Sequence, residues 1–369
     1  MTGEIPFFSL IKAPDSLKAE WASAIKLVFE TGQFIGGPQV KKFEKDWAAA
    51  VGLKHAIGVG NGLDGLVVAL RALGVGPGDT VAVPAHTFIA TWNAVKLVNA
   101  TPIGIDVDEL GLMDLGILES LDIEIKCVIP VHMHGAMVDM QRVSAWAKTN
   151  KVLIVEDASQ AHLANCGEFK AGQVADVGVF SLYPTKNLGA LGDAGVVVTD
   201  NDELALTMRS YTNYGASTND KYLHEAFGVN SRLDSMQAAV LNVNLNYLNQ
   251  WNTRRRSIAQ QYIENLEETS RLKILNKQPN SSVWHHFPII SNERDELMHY
   301  LKSNGITGEI HYPRTAAEEY FEITGDSRID FPRAQDLARR IMSLPISPWH
   351  TDDEIQQVCG VVNQFSSGK

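Results

Sequence analysis

Apolar and polar positions along this chain change period several times, and the changes divide it into helices and buried strands. Residues 38–51 place Val40, Phe43 and Trp47 on one face at helical spacing, and residues 64–73 do the same with Leu66, Val67, Leu70 and Leu73. Five short runs, 80–83, 127–131, 152–156, 177–181 and 195–199, are mostly apolar throughout. Apolar strands alternating with helices predict a mainly parallel sheet covered on both faces, an α/β fold.

Past residue 234 the pattern shifts. Residues 234–265 read as a long helical stretch with a break expected near Asn249, followed by a Pro/Asn/Ser segment at 277–282. A strand at 287–290 and helices at 293–303, 333–342 and 352–365 then make a smaller α+β body. The chain has 369 residues, more than a single core usually accommodates. Two domains are expected, a large one over 1–250 and a small C-terminal one over 251–369.

Composition narrows the function classes. With 45% hydrophobic and 20% charged residues the chain is globular, not disordered or fibrous. A formal net charge of −11 argues against partners such as nucleic acid or an anionic membrane, while leaving room for a local pocket that binds a phosphorylated small molecule. Cys127, Cys166 and Cys359 show no CxxC spacing, so neither a disulfide framework nor a cysteine zinc site is expected, and a reducing cytoplasmic location fits. No run approaches the roughly 18 apolar residues of a membrane span, and residues 1–11 offer only a short apolar stretch interrupted by Glu4.

The chemistry centres on Lys186, in Ser181-Leu182-Tyr183-Pro184-Thr185-Lys186-Asn187-Leu188-Gly189, downstream of the strand-like run that ends in Glu156-Asp157. A lysine amine can form a Schiff base with the aldehyde of pyridoxal 5′-phosphate, and a buried carboxylate can keep the pyridine nitrogen protonated so that the ring accepts electrons. The segment Gly58-Val59-Gly60-Asn61-Gly62-Leu63-Asp64-Gly65 follows a short strand and opens a helix. A dinucleotide fingerprint would need glycine at position 63, where Leu63 stands, so a nicotinamide oxidoreductase loses its main support. A single phosphate at that helix N-terminus remains compatible with the segment. His132/His134 and His285/His286 lack acidic or cysteine partners at ligand spacing, so no metal is expected. Arg254, Arg255 and Arg256 read as decoration of an exposed helix face, and His162 as a hydrogen-bond partner behind the site rather than a base.

Several further segments carry a family resemblance: Gly32-Gln33-Phe34-Ile35-Gly36-Gly37-Pro38, Gly76-Pro77-Gly78-Asp79, Val83-Pro84-Ala85-His86-Thr87-Phe88-Ile89-Ala90-Thr91, Val155-Glu156-Asp157-Ala158-Ser159-Gln160-Ala161-His162, Asn230-Ser231-Arg232-Leu233-Asp234 and Ile310-His311-Tyr312-Pro313. Together with the lysine motif they run in order over nearly the whole length. The chain resembles the DegT/DnrJ/EryC1/StrS sugar aminotransferases, pyridoxal-phosphate enzymes acting on nucleotide-linked keto sugars. The resemblance implies an aspartate-aminotransferase-like fold, with Lys186 holding the cofactor and moving protons and Asp157 pairing with the pyridine nitrogen. It further implies Gln160 on the ring hydroxyl, Phe88 stacked on the ring, and the phosphate against Gly62, Leu63 and Ser181. An asparagine matching Asn230 would reach in from a second subunit of a homodimer. Tyr183, Arg232, His311 and Tyr312 are the candidates for sugar-nucleotide contacts. Many members carry a hydroxyl residue where this chain has Leu63, so backbone amides must serve there.

Gly60–Leu66 and Phe88–Val95 resemble the subgroup that aminates C3 of a dTDP-linked 3-keto-6-deoxy sugar, with L-glutamate as the donor implied by the family. A 4-keto sugar nucleotide and a non-catalytic cofactor-binding sensor or assembly protein remain alternatives. Some relatives carry histidine in place of the lysine and act as dehydratases, so Lys186 favours transamination.

Overall fold

The computed structural model describes residues 4–217, 220, 222–278, 280, 282–327 and 329–368, so Pro279 and Ser281 of the 277–282 segment lie outside the described residues, as do residues 1–3. The first half comprises α1 (Asp15–Thr31), α2 (Pro38–Val51), β1 (His55–Val59), α3 (Gly62–Ala72), β2 (Thr80–Pro84), α4 (Ala90–Leu97), β3 (Thr101–Ile105), α5 (Leu115–Ser120), β4 (Cys127–Val128), α6 (Met140–Asn150) and β5 (Leu153–Asp157). The short pair β6 (Asn165–Cys166) and β7 (Phe169–Lys170) precedes β8 (Val177–Ser181), β9 (Gly195–Thr199), α7 (Asp202–Tyr211) and α8 (Ser235–Asn265). The remainder is β10 (Lys273–Ile274), β11 (Phe287–Ile290), α9 (Arg294–Ser303), α10 (Ala316–Thr324), α11 (Pro332–Arg340), β12 (Ile341–Leu344) and α12 (Asp352–Ser366).

Seven strands form the main sheet in the order β1-β9-β8-β5-β4-β2-β3. Pairing is parallel from β8 to β3, and β9 runs antiparallel to both of its neighbours, β1 and β8. Both faces are buried, as the uninterrupted apolar runs require. Val196 and Val198 belong to the core on one face and Val197 to the core on the other, the strand period of two. At Gly65 a Cβ would stand 2.8 Å from Val179 Cγ1, so this glycine lets α3 lie close against the sheet. The second sheet, β10-β11-β12, is antiparallel. Its core takes in Ile258 and Tyr262 from α8, Val358 and Val362 from α12, and Ile5 from near the N-terminus. In contrast Ala316, Tyr320, Phe331 and Leu337 pack into the core of the main sheet, so α10 and α11 reach back across it.

Four expectations differ from what is observed. The run at 127–131 pairs as a strand only over Cys127–Val128, because Pro130 has no amide to donate, and the chain rejoins at a bridge between Val131 and Asp157. Helix α8 passes through Asn249 without a break: Asn249 faces solvent while the buried stripe of Leu241, Leu248, Ile258 and Tyr262 continues past it. The helix expected at 333–342 stops at Arg340, and Ile341 and Met342 start β12 by pairing with Ile290 and Ile289. Arg255 is not on an exposed face. It is 2% exposed, on the same stripe, and its Nη1 donates to the carbonyls of Trp284, His285 and Ile346.

Candidate active site

A cavity of about 640 Å³ opens at the carboxyl ends of β2, β5 and β8, where open α/β sheets place their ligands. Ten of the residues singled out in the sequence line it: Gly62, Leu63, Phe88, Asp157, Gln160, Ser181, Tyr183, Lys186, His311 and Tyr312. Each is placed by a simple device. Asp157 and Ser181 are the last residues of β5 and β8, Gly62 and Leu63 open α3 directly after β1, and Lys186 stands in the loop between β8 and β9. Asn230 and Arg232 are not among the lining residues. Asn230 is exposed on the same chain, and Arg232 Nη1 donates to Asn213 Oδ1 at 3.2 Å.

Asp157 is 5% exposed and doubly held, by a 2.9 Å bond from the Thr91 hydroxyl to Oδ2 and a 3.1 Å bond from the Ser159 amide to Oδ1. Together the two donors fix the orientation of the carboxylate. Lys186 shares the cavity, and burial lowers its ammonium from the usual lysine range to about 8, with Asp157 opposing that shift. Gln160 is oriented by the His134 amide, which donates to Oε1 at 2.7 Å, and its Nε2 donates to the Tyr312 hydroxyl at 3.3 Å. Phe88 is 54% exposed at the rim, with its ring 5.4 Å from that of Tyr312, so it is not a core aromatic.

The floor near Ser181 is built for an anion. Asn61 caps α3 by accepting from the Asp64 amide at 2.9 Å, leaving the first-turn amides of Gly62 and Leu63 without intrahelical partners beside the cavity. A Cβ at Gly62 would stand 2.9 Å from Ser181 Cβ, so only glycine keeps this cradle open.

Histidines lie in and around the cavity, with His285, His286 and His311 in its lining. Burial pushes His134, His285 and His286 well below the usual histidine value, and His86 down to about 4. His162 is driven to about 3, and its Nε2–H donates to the Ser181 carbonyl at 2.9 Å from behind the site. His132, far from free, bonds Glu156 at 2.7 Å, both side chains fully buried; it has an acidic partner that the spacing concealed. Among the described residues no group of three or more His, Cys, Asp or Glu side chains could hold a metal ion. Sequence reasoning gave no role to Thr91, Asn187 or His285. Thr91 lies 66 residues from Asp157, and no local pattern joins them.

Comparison with known proteins decides the family. The description of the DegT/DnrJ/EryC1/StrS aminotransferases matches residues 15–363. The chain belongs to that family. It is similar to the dTDP-3-amino-3,4,6-trideoxy-alpha-D-glucose transaminase of Streptomyces venezuelae, at 38% identity over 99% of this chain and 97% of the relative. It is also similar to the dTDP-3-amino-3,6-dideoxy-alpha-D-galactopyranose transaminase of Aneurinibacillus thermoaerophilus, at 36% identity over 98% of this chain and 99% of the relative. Among solved structures, S. venezuelae DesV superimposes with a TM-score of 0.94 at 38% identity, covering 99% of each chain. The fold is therefore that of the aspartate-aminotransferase-like enzymes, and the protein is a pyridoxal-phosphate-dependent aminotransferase. The cavity fits that cofactor: an amine with a lowered proton affinity, a carboxylate held by two donors, and an anion cradle of first-turn amides face one space.

Proposed function

We propose that this aminotransferase moves an amino group from L-glutamate to the C3 keto carbon of a dTDP-linked 3-keto-6-deoxyhexose. The observation that carries the reading is the convergence of Lys186, Asp157 and the Gly62–Leu63 cradle on one cavity. The C3 position rests on similarity to the two relatives above, whose names specify 3-amino dTDP sugars.

The bound cofactor supplies an electron-accepting ring and carries the amine between the two half-reactions. Asp157 would hold the pyridine nitrogen in its protonated form, its own carboxylate oriented by Thr91 and Ser159. Lys186 would carry the cofactor between turnovers and, once displaced, take a proton from one carbon and return it to another. An amine titrating near 8 is suited to both directions at neutral pH. Gln160, whose Nε2 donates to the Tyr312 hydroxyl, would also meet the ring hydroxyl, and Phe88 would offer a flat apolar face. Ser181 and the amides of Gly62 and Leu63 would take the phosphate. Tyr183, which is 51% exposed at the mouth, and His311 and Tyr312 inside it are placed to meet the sugar nucleotide.

The reading includes a homodimer with shared sites and a cytoplasmic location. Phe227 is 98% and Leu223 51% exposed on the loop closed by the Asn213–Asn230 bridge, an apolar tip that a second copy would cover. Arg232, at the foot of that loop, would serve the neighbour's cavity with Asn230. The three cysteines are unpaired. The domains would divide near residue 250, into 1–250 and 251–369, with α8 bridging the two.

Purified protein incubated with L-glutamate and a panel of dTDP-, UDP- and GDP-linked 3-keto and 4-keto sugars should yield a 3-amino dTDP sugar, identified by mass and NMR. Amination of the 4-keto compounds alone would replace the C3 assignment, and binding of the cofactor without any transfer would reject the enzymatic reading.

A further inference from the structure

Beside Lys186 a buried side-chain network has a polarity that can be read without ambiguity. Asn252, on α8, donates from Nδ2 to the His162 carbonyl at 2.9 Å, so its Oδ1 faces Asn187. Asn187 must then turn its Nδ2 that way, donating at 2.9 Å to Asn252 Oδ1 and at 2.8 Å to the Val283 carbonyl. Two backbone carbonyls, which can only accept, thus fix both amides. What remains of Asn187 is its Oδ1, an acceptor, 3.3 Å from His285 Nδ1. His285 Nδ1 is therefore the protonated nitrogen and Nε2 the one with the free lone pair.

The ring is also fixed in space. Arg255 Nη1 holds the carbonyls of Trp284 and His285 at 3.1 and 3.3 Å, and Asn187, His285 and Arg255 are 2%, 5% and 2% exposed. His285 and Lys186 line the same cavity, and among the described residues no hydrogen bond is made to His285 Nε2. Asn187, which sets the tautomer, is the residue next to Lys186 in the chain.

We propose that His285 is a positioning residue for the Lys186 amine: held by Asn187 as the Nδ1–H tautomer, it offers its Nε2 lone pair as the acceptor that stabilises the protonated nitrogen of Lys186 inside the cavity. The charged and titratable groups facing His285 are Lys186, Arg255, His311 and His162, with the tilted ring of His286 beside it at 4.0 Å between centroids. Burial and the Lys186 and Arg255 charges keep its own ring neutral, as an acceptor must be. This inference rests on the assignment of Lys186 as the cofactor-bearing amine.

Two measurements on the holoenzyme test it. The first is ¹⁵N NMR of the histidine rings, comparing wild type with His285→Gln to assign the signal. A neutral Nδ1–H form is expected from pH 6 to 8, and an Nε2–H form or a titrating ring would overturn the proposal. The second is the pH midpoint of the visible band of the Lys186-bound cofactor. His285→Leu should lower that midpoint by about 1 unit, since losing an acceptor disfavours the protonated nitrogen, and His285→Gln should recover most of the shift. Leucine and glutamine variants with the wild-type midpoint would overturn it, even if both were less stable to heat, because packing alone does not move a proton. Absence of the band from wild type would instead reject the role of Lys186 itself, so the two failures are distinguishable.

Discussion

The hydroxyl of Thr91, in the first turn of α4, donates a 2.9 Å hydrogen bond to Oδ2 of the buried Asp157 at the end of β5. It joins two residues that line the cavity and fixes the orientation of the carboxylate offered to the cofactor. Asp157→Asn removes the charge and is expected to lower the turnover number by about a thousandfold, as ring protonation is lost. Thr91→Val removes one donor to a charged acceptor, worth roughly 1.5–3 kcal/mol, and should cost about tenfold or more, with Thr91→Ser close to wild type. Single-turnover rates of the glutamate half-reaction distinguish the three, and a Thr91→Val enzyme as fast as wild type would detach this bond from catalysis.

Lys186 sets the pH dependence. Burial lowers its ammonium from the usual 10.5 to about 8, so the free amine that accepts a proton becomes abundant as pH rises through about 8. The single-turnover rate with cofactor already in its amine form should rise through that pH and then level. A companion effect appears in the cofactor-free protein: between about 8 and 10.5 the unfolded chain holds this proton and the folded one does not, so stability contributed here increases with pH. Lys186→Ala should abolish both the visible absorbance and turnover, and should flatten the stability rise above pH 8 measured by urea unfolding.

Gly62 tests the phosphate cradle. Alanine there would bring a Cβ to 2.9 Å from Ser181 Cβ, in the space between the α3 amides and β8. The expected result is cofactor affinity weaker by about tenfold or more, measured by equilibrium dialysis, because a displaced amide pair loses charge-assisted bonds to phosphate. Unchanged affinity would place the phosphate elsewhere in the cavity.

The exposed loop around Phe227 gives a test of subunit sharing. If a second copy covers it, Phe227→Asp should shift the protein toward monomers in sedimentation velocity, since burying an unpaired carboxylate is costly. Asn230→Ala should leave the assembly intact while weakening cofactor retention. A wild-type protein that sediments as an active monomer would contradict the role given to Asn230.

Much of this architecture was legible because the buried strands and the long amphipathic helices carry strong periodic signals. The bounds of α2, β8 and β9 follow from apolar runs that one face or two faces of burial demand. Strand β3 was missed because Thr101-Pro102-Ile103-Gly104-Ile105 is an edge strand containing Pro and Gly, with only Pro102 and Ile105 buried. Arg255 was misread because sequence shows a run of three charges but not that one of them falls at 100° spacing onto the buried stripe, where carbonyl oxygens receive it. Asp157 and Lys186 could be found since their residue types are demanded by the cofactor's chemistry. Thr91, Asn187 and His285 act through distance and hydrogen-bond polarity, which depend on the folded chain and leave no local trace.

Acid sensitivity follows from two buried histidines outside the cavity lining, His86 and His162. His86 is lowered to about 4 and His162 to about 3, both chiefly by burial, so from pH 6.5 downward the unfolded chain binds protons that the folded one refuses. The unfolded state therefore gains on acidification, and stability falls between pH 6.5 and about 4, the opposite direction from a salt-bridged histidine. A shift of that size at one site corresponds to on the order of 3 kcal/mol, a large share of the stability of an ordinary domain. His162 is the better probe, being behind the cavity, where its Nε2 donates to Ser181 and its ring packs on Phe180 and Trp47. His162→Gln keeps an N–H donor but cannot titrate, so its stability in urea should decline less steeply than wild type between pH 6.5 and 4, even if it starts lower at pH 7.5. Parallel pH profiles for the two proteins would mean that His162 is not a source of the acid sensitivity.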